Sequence, residues 1–337
     1  ERDPASALNV HAFAAEGASA SSQTLLATSP THSCALRAGQ LYCWGQNFSG
    51  QLGTGDLTDS ETAVAATMAG QDVVQLVLST GRTCVRRGSG MVACLGANDA
   101  GQRGDGTRAE HASATAVVGV ADAVDLAIDE QTSCAVHGTE RSVSCWGGAT
   151  TTKADDPALL PTRIADASGV VELRAGVDGE YCGRLQDDSV RCWSLMEDGW
   201  TAAKKVPALS GARSVAMAAL GEVCALIGGG PILCHNLENG KTVRLGDSTG
   251  NERIIGAGSL AICAVNAAGD WHFWNVLPPL VEILGSPRIA VSVGKPVLDL
   301  AFHGFRVCAL FAENEVACGE VFDAQLPTLV RVEGLPD

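Results

Sequence analysis

Twelve of the thirteen cysteines in this chain fall into pairs nine to eleven residues apart: Cys34 with Cys43, Cys84 with Cys94, Cys134 with Cys145, Cys182 with Cys192, Cys224 with Cys234, and Cys308 with Cys318. Folding each segment about its midpoint puts turn-forming residues at the tip, Ala38-Gly39 in the first, Gly88-Ser89-Gly90 in the second and Gly228-Gly229-Gly230 in the fifth. The cysteines then stand opposite each other on antiparallel strands, within reach of a disulfide. Each pair is expected to staple one β-hairpin. Cys263 keeps the same register but faces Phe273, so a seventh hairpin is expected to hold a free thiol, buried, with a raised pKa and slow to react.

The first cysteines of successive hairpins are 50, 50, 48, 42, 39 and 45 residues apart, the range of propeller and solenoid repeats. A short run ending in small residues precedes each hairpin, as in Leu25–Ser29, Val74–Ser79, Val124–Ile128, Val171–Gly176, Val215–Leu220, Ile254–Ser259 and Leu298–Phe302. Small residues suit inner strands that crowd around a central axis. A further run follows, such as Thr62–Ala66, Ala114–Val118 or Thr328–Val332. Four strands per unit and seven units predict an all-β fold, a seven-bladed β-propeller of four-stranded antiparallel blades. No long stretch has helical apolar periodicity, so helix is expected to be rare. Residues 22–337 are read as the propeller and residues 1–21, rich in Ala and Ser, as an N-terminal arm or tether, with Leu8–Phe13 as a short added strand.

The motifs Thr31-His32-Ser33-Cys34-Ala35-Leu36, Gly39-Gln40-Leu41-Tyr42-Cys43-Trp44-Gly45-Gln46-Asn47 and Gly50-Gln51-Leu52-Gly53-Thr54-Gly55 resemble the regulator-of-chromosome-condensation repeat. The resemblance runs in weakening form from about residue 22 to the C-terminus: Asn98–Gly106 keeps the glycine-rich stretch with Arg103 in place of leucine, and copies four to seven keep only the hairpin. It implies a seven-bladed propeller, in agreement with the count above. The family fold serves GTPase exchange factors, photoreceptors and bacterial β-lactamase inhibitors, so it names no target.

Six registered cysteine pairs point to an oxidising compartment, the periplasm, the outer surface or the extracellular medium, and with the resemblance to a bacterial, cysteine-rich propeller. Reduced, buried cysteines in a cytosolic protein are the alternative. The chain opens on Glu1, not methionine, which fits a removed signal peptide or lipoprotein leader and a lipid-anchored N-terminus. The most apolar stretch, Val206–Cys234, is broken by Arg213, Glu222 and three glycines, so direct membrane insertion is not expected. A net charge of −15 argues against nucleic acid and anionic lipid as partners.

Catalytic and metal signatures are missing: no G-x-S-x-G, H-E-x-x-H, Walker A or complete G-x-G-x-x-G, and no C-x-x-C knuckle with histidines at ligand spacing. No cofactor and no catalytic residue is expected. Asp187-Asp188 is read as hairpin-turn chemistry, and Trp44, Trp146, Trp193 and Trp274, in register after the second cysteine position, as blade packing. The position occupied by His32 recurs as Arg82, Thr132, Glu180, Glu222, Ala261 and Arg306, too varied for a symmetric metal or substrate ring. It reads as a variable recognition surface or as tolerant loop positions. Together with Phe48, Arg103 and the linker Trp200, the residues His32, Arg82, Glu180, Glu222 and Arg306 form the candidate binding set, on the face opposite the tight hairpin turns.

The leading reading is a secreted or envelope-associated, non-enzymatic propeller that binds another protein. The alternatives are an inhibitor of the β-lactamase-inhibitor propeller type and a lectin-like carbohydrate binder. Non-reducing peptide mapping is expected to recover the six hairpin disulfides and one free thiol, Cys263. Bridges between different hairpins would overturn the register.

Overall fold

The computed structural model describes residues 12–13, 26–37, 39–148, 156–218, 221–247, 253–257, 261–265, 271–275, 289–291, 297–303, 306–311, 315–320 and 329–336. Seven antiparallel sheets follow one another along the chain, each built from consecutive strands. Their inner strands stand side by side in a closed ring, with Val297–His303 of blade 7 beside Leu26–Thr28 of blade 1. The protein is an all-β, seven-bladed propeller. Blade 2 is typical: Val73–Ser79, Arg82–Arg87, Val92–Gly96 and His111–Ala116 pair in that order from the axis outward.

The expected inner runs appear with shifted ends, as Ala123–Ile128, Val170–Ala175, Ala212–Ala218 and Arg253–Ala257 show. Helix is limited to three 3-10 turns among the described residues. Blade 4 adds a short hairpin, Leu195 opposite Trp200, before its outer strand Lys204–Lys205. Of the expected arm strand, Ala12–Phe13 pairs with the free inner edge of Val73–Ser79 and lies beside Val297–His303. The rest of residues 1–21 lies outside the described residues.

All six predicted disulfides join directly opposed strand positions, with Cα atoms 4.0 to 4.1 Å apart. Cys263 pairs in register with Phe273 as expected, although their side chains lie outside what is described. Asp188 takes a left-handed turn conformation at φ 59°, and the Asp187 carboxylate accepts from the Ser189 N–H and hydroxyl, the local turn chemistry anticipated for this pair.

The core is a set of slabs between neighbouring blades. One slab joins Cys34, Leu36, Leu41 and Cys43 of blade 1 to Leu76, Leu78, Val85 and Leu95 of blade 2; another joins Leu26, Ala35 and Trp44 to Ala301, Cys308 and Leu310 of blade 7. Side-chain alternation along a strand therefore sends each disulfide toward the next blade and each tryptophan toward the previous one. Trp44, Trp146 and Trp193 are buried in these slabs, and the Trp193 indole N–H reaches back to Cys145 Sγ of blade 3 at 3.3 Å.

A buried polar chain crosses the slabs close to the axis. The inner strands of blades 2, 3, 4 and 5 each carry a β-bulge at the same register, immediately before Gln75, Asp125, Glu172 and Ser214. Each of these side chains bonds a neighbouring blade. Gln75 Nε2 donates to Asp125 Oδ1 (2.7 Å) and to the Leu126 carbonyl (3.1 Å), and the Leu173 N–H donates to Asp125 Oδ2 (2.8 Å). The Ser214 hydroxyl donates to Glu172 Oε1 (3.1 Å), while Arg174 and Arg184 neutralise that carboxylate at 2.6 and 2.9 Å. Burial raises the Asp125 pKa against the pull of Arg174 and these hydrogen bonds. Asp125→Ala would strip the acceptor from the buried Leu173 N–H; it is expected to destabilise the protein by about 2–4 kcal/mol, read as a lowered urea midpoint. A midpoint equal to that of the parent would show that the chain adds nothing.

Candidate functional site

Strand order puts the turns that lead into each hairpin and the long connections after it on one face, with the tight hairpin tips on the other. Backbone bonds tie the two kinds of loop together, Gln46 N–H to the Thr31 carbonyl in blade 1, Ala97 to Gly81 in blade 2 and Leu237 to Gly221 in blade 5. The two glycine-rich connections are built alike. Asn47 Oδ1 accepts from the Leu52 N–H and its amide donates to the Asp56 carbonyl; Asn98 Oδ1 accepts from the Arg103 N–H and its amide donates to the carbonyls of Thr107 and Ala109. Gly50, at φ 82°, sits so close to blade 2 that a Cβ there would lie 2.6 Å from Ala112 Cα, so this loop wedges between blades.

That wedge corrects three of the expected contact residues. His32, Arg82 and Arg103 are 0% exposed and offer nothing to a partner on the loop face. A charged residue next to a turn reads as solvated, whereas here the next blade covers it. His32 Nε2 meets Thr83 Oγ1 of blade 2 at 2.7 Å, and the Thr83 hydroxyl donates onward to the Gln51 carbonyl at 2.7 Å. With its proton so engaged, Thr83 can only accept from His32, which fixes the Nε2–H tautomer. Burial first, then the charge of Arg306 in blade 7, pulls the His32 pKa from 6.5 to about 3 and keeps the ring neutral. Arg82 donates to the carbonyls of Gln102, Asp129 and Thr132, so that its guanidinium pins blade 2 to blade 3. Arg103 occupies the place of Leu52 and is satisfied by Thr115 Oγ1 (2.6 Å) and the Ser113 carbonyl (3.1 Å).

The equivalent position continues the same role into blade 4, where Thr132 Oγ1 and the Tyr181 hydroxyl lie 2.9 Å apart. At blades 1 to 3 the variable residues are thus joints to the next blade and not a contact patch. The position turns acidic at blades 4 and 5. Glu180 is half-buried against Gly221 of blade 5, and burial, followed by the charges of Glu238 and Asp178, raises its pKa from 4.5 to about 7. Glu222 is also half-buried, and burial raises its pKa. Arg306 is half-buried.

Trp200 is corrected in part. It is half-buried and meets Tyr181 edge-on at 5.8 Å, closing the end of a ring stack between Tyr181 and Trp193. The exposed apolar group of that hairpin is Met196, at 61% exposure, which the sequence reading passed over. Phe48 remains as expected in the open, 53% exposed, with its ring laid over Gly81 of blade 2, where a Cβ would come within 3.0 Å. No group of three or more His, Cys, Asp or Glu side chains fit to hold a metal ion occurs among the described residues.

The Regulator of chromosome condensation (RCC1) repeat matches residues 38–77, which run from the tip of the first hairpin through its second strand and the first glycine-rich connection into the inner strand of blade 2. Residues 38–77 carry an RCC1 repeat, within a chain whose fold is a seven-bladed propeller. It resembles Prp20p of Saccharomyces cerevisiae, a structure reported with its binding properties to Gsp1p and histones, at a TM-score of 0.67 and 15% identity over 88% of this chain and 86% of that one. The ectodomain of the Arabidopsis thaliana receptor kinase ACR4 is similar at a TM-score of 0.53 and 15% identity, over 91% of this chain and 98% of that one. No curated protein sequence matches the chain significantly. At such identities the likeness establishes the propeller fold alone.

Glu180 gives a pH dependence with a definite sign. Its folded pKa, about 7, lies above the ordinary 4.5, so the folded state holds the proton more tightly. The stability this contributes is complete below pH 4.5 and is lost as the pH rises through 7. Glu180→Gln, which keeps the shape and removes the charge, is expected to flatten the fall in thermal midpoint between pH 5 and 8 and to raise the midpoint at the upper end. Parallel curves for the two proteins would contradict it.

Proposed function

We propose that this RCC1-type propeller is a non-enzymatic protein-binding module of an oxidising, extracytoplasmic compartment, secreted or held at a cell envelope, and that it recognises its partner through the loop face. The observation that carries this reading is the division of labour between the two kinds of surface. Disulfides and buried joints hold the blades, while the loop face presents Phe48 and Met196 to solvent on connections that differ from blade to blade. Large apolar side chains fixed on a rigid scaffold make contact area at low entropic cost. Glu180, Trp200, Glu222 and Arg306 stand at or near the rims of the same loops and supply polar context.

Two further observations support the reading. The six hairpin bridges favour an oxidising location. Prp20p, which shares the fold, is described by its binding to Gsp1p and histones, so the scaffold is compatible with protein partners. The residues 1–21 are proposed as an arm outside the propeller proper, 22–337.

Affinity capture from a native secreted or envelope fraction tests the proposal with matched baits. Phe48→Ala and Met196→Ala should each weaken capture of the specific partner by about tenfold, as expected for interface anchors, while Ser89→Arg on the hairpin-tip face leaves it unchanged. Loss with Ser89→Arg and retention with the other two would move the site to the opposite face. Binding to a glycan array, with no protein captured, would favour the lectin alternative.

A further inference from the structure

The fasteners that close this ring are not evenly spread, and three departures fall together in blade 6. Blades 1 to 5 and blade 7 each carry a disulfide across the hairpin, whereas blade 6 pairs Cys263 with Phe273 at that register. The belt of joints runs from His32 to Thr83, from Arg82 to the Asp129 and Thr132 carbonyls, and from Thr132 to Tyr181. It then weakens. Glu180 Oε2 is buried with no hydrogen-bond partner among the described residues. At the corresponding place in blade 6, opposite Asn275, stands Ala261, which has no polar side-chain atom with which to reach blade 7. A contact reappears between blade 7 and blade 1, where Cys308 Sγ lies 3.9 Å from Ser33 Oγ.

A third departure falls in the same blade. In blades 2 to 5 and 7 the inner-strand bulge lies between the same two register positions, well away from the cysteine pair. In blade 6 it lies between Ile254 and Gly256, beside the pairing of Gly256 with Cys263. The irregularity of the inner strand therefore adjoins the missing bridge. An unstapled hairpin, an apolar residue at the joint and a displaced bulge each lower the free energy needed to open one blade while its neighbours stay closed.

From these coincident lapses we infer that blade 6 is the seam of the ring, the one blade that opens locally, away from blades 5 and 7, while the remaining blades stay assembled. Repeat architectures permit such behaviour, because each unit is stabilised by its own contacts and those of its two neighbours. The inference concerns conformational opening and does not depend on the binding role proposed above.

Hydrogen exchange on the intact, oxidised protein, read by mass spectrometry, tests it. Strand amides of Arg253–Ala257, Ala261–Val265 and Trp271–Asn275 should exchange about tenfold or more faster than their register equivalents in blades 5 and 7. Phe273→Cys supplies the missing partner at the opposed position and should form a bridge to Cys263. That bridge should slow exchange in blade 6 by about tenfold or more, leave blades 1 to 4 unchanged, and lose its effect on reduction under conditions that spare the buried bridges. Equal protection in all blades of the parent protein overturns the inference. So does failure of the bridge to form, or a formed bridge that leaves blade 6 exchange unaltered.

Discussion

Neither face of a blade in this protein can be left to water, and no blade can cover itself. A four-stranded antiparallel sheet with both faces apolar gains stability only when a neighbour lies on each side, which is why the core is divided into slabs with Cys34 and Leu36 looking one way and Ala35 and Trp44 the other. Every other feature follows from that mutual dependence. The disulfides do not join blades; they hold each hairpin flat enough to serve as a wall for the next slab. Cross-blade specificity comes from polar groups set within the apolar slabs, where an unmet donor or acceptor is costly and so only one relative placement of two blades is acceptable.

Much of this architecture can be read from the chain before any coordinates. Cysteine spacing gives the hairpins, their register and the count of units, because a bridge between opposed strands leaves one midpoint, and in most of the hairpins glycine or aspartate stands at or beside it. The inner runs are legible because their ends are small and apolar. Strand ends shift by a few residues where pairing continues past the pattern, as in the inner strand Ala212–Ala218, which the apolar run starting at Val215 places too late.

The joints between blades were much less legible. His32, Arg82 and Arg103 carry types that prefer water, and nothing adjacent in sequence signals that residues some fifty positions along engage His32 and Arg82, or that the outer strand of its own blade engages Arg103. Long-range burial of a charged side chain has no local signature. A partial one does exist for the inner chain of bonds: Gln75, Asp125 and Glu172 each interrupt an otherwise apolar run at one place, Val-Val-Gln-Leu, Ala-Val-Asp-Leu and Val-Val-Glu-Leu. A polar residue recurring in register inside buried strands asks for a buried partner. Trp200 shows the reverse error, an aromatic taken as free because it stands outside the repeat, when Tyr181 lies two strands away in the same sheet.

The repeated bulge has a consequence for how such a chain can change. Because the bulge turns the same side chain of each blade toward a neighbour, the joints are head-to-tail: what one blade offers is met by a different surface of the next. A substitution at one joint then disturbs its own blade and the immediate neighbours it bonds, whereas in a symmetric pairing it would be felt twice at the same contact. The blades are therefore free to diverge one joint at a time, provided that each keeps its hairpin. That freedom accounts physically for a ring whose corresponding positions hold a histidine, two arginines, a threonine, two glutamates and an alanine, yet still closes.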